Sequence, residues 1–142
     1  MSEYKPTYFN IKELVPPELY ELLSEKALWN LFDEEALRAL DWMKAMFPKG
    51  TITINDWPWG GNYKYSGFRT KSSSDYSENS AHSTGKGWDM KFSAYPIEEV
   101  REALGELECS PFVRRMELGT DTWLHIDVVK KGNIKSIYFF HP

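Results

Sequence analysis

Residues 57–87, "WPWGGNYKYSGFRTKSSSDYSENSAHSTGKG", carry neither helical nor strand periodicity. A stretch this long without regular structure is uncommon inside a domain and is usually a binding or catalytic segment. It divides the chain into two unlike parts. Before it, apolar residues recur at helical spacing: "PPELYELLSEKA" opens on prolines suited to a helix start, and "DEEALRALDWMKAMFPKG" sets Leu37, Leu40, Met43 and Phe47 on one face. Acidic residues fill the first turn of the second helix, and Pro48 and Gly50 end it. Just before the long segment, "TITIND" is a short β-branched strand. After it, "GWDMKFSAY", "FVRRMEL", "TWLHIDVV" and "IKSIYFF" alternate as strands, with "GTD" and "KKGN" expected as hairpin turns. "PIEEVREALGELE" reads as one more helix, with Pro96 near its first turn.

The expected fold is therefore α+β, with N-terminal helices packed on a mainly antiparallel sheet. At 142 residues the chain is expected to form one domain, residues 1–142, with 1–34 as a helical extension and 35–130 as the motif-bearing core. The net charge of −4 and the lack of any Lys/Arg run argue against a nucleic-acid partner. A single cysteine, Cys109, cannot close an internal disulfide. The N-terminus lacks the basic-then-apolar pattern of a signal peptide, and no apolar run is long enough for membrane insertion. Synthesis in the cytoplasm is expected, with any outside action needing another route.

Histidine placement is the sharpest chemical signal. Of three histidines, His82 lies in the long segment, His125 lies mid-strand, and His141 is penultimate and expected to take no part. His82 and Asp89 meet if "STGKGW" turns, for which Gly85 and Gly87 give conformational freedom. His125 from a neighbouring strand completes a His/Asp/His set, a donor group suited to a catalytic zinc with one position open. By spacing alone, a hydrogen-bonded core histidine and a turn-capping aspartate explain these residues better than a metal site does.

"SAHSTGKGWD" is similar to the Ser-x-His-x-x-Gly-x-(Ala/Gly)-x-Asp signature of a zinc peptidase clan. That clan includes D-Ala-D-Ala carboxypeptidases and dipeptidases, phage L-alanyl-D-glutamate endolysins and the hedgehog signalling domain. Ser80, His82, Gly85, Gly87 and Asp89 fall in register. Upstream, "SGFR" resembles the clan's Ser-Gly-Tyr-Arg segment; downstream, "WLHID" resembles its third-ligand strand. The resemblance implies zinc on His82, Asp89 and His125, with Arg69 and Ser80 touching substrate; Asp127, on the strand face of His125, is expected to orient a ligand or fix the fold. It implies a peptidase acting on peptidoglycan stem peptides or cross-links, delivered with holin help or as a virion component. The clan's usual acidic base lies three residues before the third ligand, where this chain has Thr122. Asp121 is then the favoured base and Glu117 the alternative. Trp59, with Trp57, Tyr63 and Tyr65, is expected to wall the cleft or to fold over the loop's own core. Two other readings compete: a metal-holding phage structural protein without turnover, and a metal-independent glycan-binding module.

Overall fold

The structure, a computed structural model, describes residues 4–141. Among them are four α-helices, α1 (Pro17–Leu22), α2 (Glu25–Trp29), α3 (Glu34–Met46) and α4 (Ile97–Gly105), and five strands. The strands are β1 (Ile52–Thr53), β2 (Gly87–Phe92), β3 (Arg115–Glu117), β4 (Leu124–Asp127) and β5 (Tyr138–Phe140), arranged in one mixed sheet in the order β1-β2-β4-β3-β5. Three pairings are antiparallel, and β3–β5 is parallel. The α+β class expected from the sequence is therefore observed.

The expected first helix is two. Leu23 is extended, and the Ser24 hydroxyl accepts from the Ala27 amide to start α2, so a capping serine interrupts the apolar pattern. α3 follows its sequence closely. The Asp33 carboxylate accepts from the Glu35 amide at its start, and Ala36, Leu37, Leu40 and Met43 are fully buried. Each large apolar side chain so buried stabilises the fold by about 1.5–3 kcal/mol. Pro96 turns out to be the residue before α4 rather than inside it.

The pleat of the sheet separates structure from chemistry. On one face Trp88 and Met90 of β2, Leu124 and Ile126 of β4 and Met116 of β3 join the buried cluster that also contains the α3 face. The Trp88 indole donates to the Ala36 carbonyl at 2.8 Å, tying α3 to β2. Phe9, Ile11, Leu14, Val15, Leu28 and Trp29, from the expected N-terminal extension, belong to the same cluster. On the other face, by the two-residue alternation, stand Asp89 and Lys91 of β2, His125 and Asp127 of β4 and Arg115 of β3.

The expected "KKGN" hairpin is not formed. After β4 the chain passes β3, and β5 pairs in parallel with β3 at the edge of the sheet, Arg115 against Tyr138 and Met116 against Phe139. The pattern of a short strand reveals that it pairs, not with which neighbour. β1 is also shorter than "TITIND" suggests, because the Asn55 amide turns away to the Glu13 carbonyl.

Candidate metal centre

Asp89 and His125 face each other across the two central strands. The Asp89 amide donates to the Ser66 carbonyl, away from β4, so the two residues form the closer, non-hydrogen-bonded kind of antiparallel pair. His82 arrives from the long segment. That segment turns at Gly85, whose φ of +71° and whose contact with the Leu31 carbonyl leave no room for a Cβ. Gly87 serves differently from expectation. Its φ is not positive; it leaves space, since a Cβ there would lie 2.8 Å from the Ala81 Cβ and 3.2 Å from His125 Cε1.

The result is a tight trio. His125 Nδ1 lies 3.0 Å from Asp89 Oδ1 and 3.2 Å from His82 Nε2, and His82 Nε2 lies 3.1 Å from Asp89 Oδ1. Both imidazoles are buried. Their outer nitrogens are already assigned. His82 Nδ1 donates to the Gly67 carbonyl at 2.9 Å, and His125 Nε2 donates to Asp127 Oδ2 at 2.9 Å. Carbonyl and carboxylate oxygens only accept, so the ring protons sit on those outer atoms and the inner nitrogens present lone pairs. Three acceptors facing one another at this distance repel unless a cation lies among them. Tetrahedral zinc, with bonds of 2.0–2.1 Å to nitrogen, sets neighbouring donors about 3.3 Å apart. The trio therefore fits such an ion in donor chemistry and in spacing.

Without a metal, a proton must serve. Burial disfavours a charged His125, but its hydrogen bonds to Asp127 and Asp89 and their charges outweigh burial and raise its pKa to about 9. Burial likewise pushes Asp89 and Asp127 up, and is outweighed. Hydrogen bonds from both histidines hold Asp89 well below the carboxylate range, and those from His125 and Arg115 lower Asp127. Arg115 grips Asp127 with a two-pronged fork, Nε to Oδ1 and Nη2 to Oδ2, both 2.8 Å. Its guanidinium also lies over the Phe140 ring of β5, and that ring meets His125 edge-on.

A cleft of about 510 Å³ opens beside Asp89. Arg69 lies in its wall, with Nη2 3.5 Å from Asp89 Oδ2, the oxygen turned away from the trio. Lys91 lines it too. This lysine was not singled out from the sequence, although the strand alternation that puts Asp89 on this face puts residue 91 there as well. Its ammonium donates to the Ile54 carbonyl and the Ser66 hydroxyl and sits 4.0 Å from the centre of the Tyr63 ring. Burial lowers its pKa to about 8.

The other expected site residues divide. Tyr63 and Tyr65 line the cleft, and Trp123 joins them. Trp59 does not. It is exposed at the edge of a separate depression with Tyr8 and Phe9, because the turn at Gly60 carries it outward. Trp57 spends its indole N–H on the Val15 carbonyl. The Ser80 hydroxyl accepts from the His82 amide at 3.1 Å, so it shapes the turn that presents His82. Thr122 lines the cleft, in a loop (118–123) anchored by hydrogen bonds from Arg101 to Thr120 and from Thr120 to the Trp123 carbonyl. Asp121 is exposed in that loop and Glu117 half-buried at the end of β3, and neither hydrogen-bonds to the trio. His141 is exposed beside Gly119 and stands outside the trio. Compared with known protein families, with curated proteins and with solved structures, the chain matches none.

Proposed function

We propose that this chain is a zinc-dependent peptidase acting on peptidoglycan stem peptides or cross-links. The observation that carries the reading is the convergence of three inward lone pairs, on His82, Asp89 and His125, with both outer ring nitrogens already bound. The donors are two nitrogens and one oxygen without sulfur, the type found where zinc does chemistry rather than closes a structural site. The substrate class rests on the similarity of "SAHSTGKGWD", "SGFR" and "WLHID" to the murein peptidases of the clan. On this reading the protein is made in the cytoplasm and meets the cell wall after holin-assisted release or as part of a virion.

Zinc, when bound, supplies Lewis acidity and a water whose pKa falls to about 7. The chain supplies the rest. Gly67 and Asp127 fix the two imidazoles, so the donors do not have to reorganise. Arg69, at the cleft wall, offers a planar fork to a substrate carboxylate or carbonyl. Tyr63, Tyr65 and Trp123 give apolar walls to an extended peptide. Thr122 can hold a water by hydrogen bonding but takes no proton at neutral pH, so on this reading the proton acceptor would be Asp121 of the 118–123 loop or Glu117 at the end of β3.

One observation favours a second reading, a phage structural protein that holds metal without turnover: Thr122 stands where the clan has its acid, and neither nearby acid touches the trio. Elemental analysis of the purified protein, with mass spectrometry of muropeptides after incubation with it, decides. About one zinc per chain and new stem-peptide fragments are expected. Metal without fragments selects the structural protein. No metal, or full metal in both His82→Ala and Asp89→Ala proteins, refutes the centre.

A further inference from the structure

Lys91 is a half-buried ammonium held in place by a buried scaffold. Asn55, fully buried, donates to the Val15 carbonyl and accepts from the Ser66 amide at 2.9 Å. Ser66 in turn accepts from Lys91 through its hydroxyl at 2.8 Å, and the Ile54 carbonyl accepts from Lys91 at 2.7 Å. Among the described residues no carboxylate lies within ion-pairing distance of this ammonium. Asp89 and Asp56 act on it only from further off. Removing a lysine head from water without a counterion is costly, and a chain that needed only a spacer here would use an apolar side chain. The scaffold keeps the charge at the wall of the metal-centre cleft.

The chain is acidic overall, yet this cleft is not. Its wall has three cationic side chains, Lys64, Arg69 and Lys91, against two carboxylates, Asp75 and Asp89. Asp89 is committed to the trio through Oδ1. Any divalent ion bound there makes the cleft more positive still. A low-dielectric wall focuses such a field on whatever enters.

We infer that Lys91 is a specificity-determining residue that receives a free carboxylate of the bound peptide, so that the cleft selects a substrate carrying an acidic group next to the scissile bond over its amide. This rests on the peptidase reading for the word substrate, but the selection itself is a matter of binding. Two N–H groups of Lys91 are used by the protein, and the third faces the Tyr63 ring. Tyr63 is exposed at the rim, and a carboxylate seated over Lys91 takes its place as the partner of that N–H. Arg69, with Nη2 3.5 Å from Asp89 Oδ2, is a second cation lining the same cleft. A carboxamide in that position keeps the shape and loses the charge-assisted bonds.

The test uses two peptides, L-Ala-γ-D-Glu-L-Lys, with its free α-carboxylate, and the same tripeptide with an α-carboxamide. Their binding to protein dialysed against zinc is measured by calorimetry. The wild-type protein is expected to bind the acid at least about 10-fold more tightly. In Lys91→Met the preference should shrink to about threefold or less with zinc content unchanged, and Lys91→Arg should keep most of it. Equal affinity of the wild type for both peptides overturns the inference, and so does a Lys91→Met protein that keeps the full preference. If Lys91→Met does not fold by circular dichroism, Arg69→Met decides. Lys91 then acts without its partner, and a loss of all preference overturns the inference. Selective binding without cleavage of either peptide counts against the peptidase reading alone. Cleavage without selectivity counts against the role of Lys91 alone.

Discussion

Asp127 receives the Nε2 proton of His125 at 2.9 Å from two residues away on the same strand, and the Arg115 fork holds the aspartate from the next strand. The imidazole is thus fixed in one tautomer and one orientation by residues that do not touch the metal position. Asp127→Asn leaves the fork half-matched and weakens the acceptor for His125. Zinc affinity, measured by competition with a chromophoric chelator, should fall about 10- to 100-fold, as for other carboxylate–histidine–metal relays. An unchanged affinity would show that the imidazole orients itself.

The pKa of His125 gives a pH signature that changes sign with metal. In metal-free protein the pKa is raised from 6.5 to about 9, so its contribution to stability is whole below pH 6.5 and is lost as pH rises through about 9. Asp89 and Asp127 are lowered, so theirs is present above the ordinary carboxylate value of 3.8 and is lost as pH falls below it. The melting temperature with chelator should therefore drop between pH 6.5 and 9. Zinc affinity should climb over the same range, because the ion displaces the proton. A flat melting temperature across that interval in chelator contradicts the assignment.

Gly87→Ala tests the packing of the centre without removing a ligand. The added methyl meets the Ala81 Cβ and His125 Cε1. We expect the protein to fold with about 1–3 kcal/mol less stability, the usual cost of overpacking, and to bind zinc more weakly. Denaturant titration beside metal analysis measures both. Wild-type zinc affinity in that variant would mean that the imidazole has slack.

Arg69→Lys keeps the charge and loses the fork. On the peptidase reading, we expect kcat/KM on stem peptides to fall by about 10-fold or more with zinc content intact, since Arg69 meets the trio through the outer oxygen of Asp89. Loss of zinc in step with activity would assign the arginine to the metal centre instead.

On the peptidase reading, an acid near Thr122 must accept the proton. Asp121→Asn and Glu117→Gln retain shape and remove basicity. One of them should lower turnover about 10²- to 10⁴-fold with zinc retained. Should both stay near full activity, the acid lies elsewhere in the cleft.

Much of this was legible in the sequence, and the limits are physical. α3 is readable because its apolar period, acidic cap and proline stop agree. The three donors are readable because a specific motif and one histidine in a strand fixed them, and the register then set Asp89 opposite His125. The break at Ser24 was hidden inside a continuous apolar pattern. The parallel docking of β5 was hidden because alternation gives a strand two faces but no address. Arg115 and Lys91 lie in no motif of the sequence. Their roles depend on what lies across the sheet and beneath the long segment, which no local pattern encodes.

The direct opposition of Asp89 and His125 would tie any ion held by the trio to the alignment of the sheet. Sliding β4 by one residue past β2 would turn His125 to the opposite side and bring Leu124 or Ile126 into its place. A chain paired in the wrong frame cannot assemble the donors. Zinc present during refolding would therefore act as a proofreader, trapping correctly aligned molecules and leaving misaligned ones free to unravel and try again.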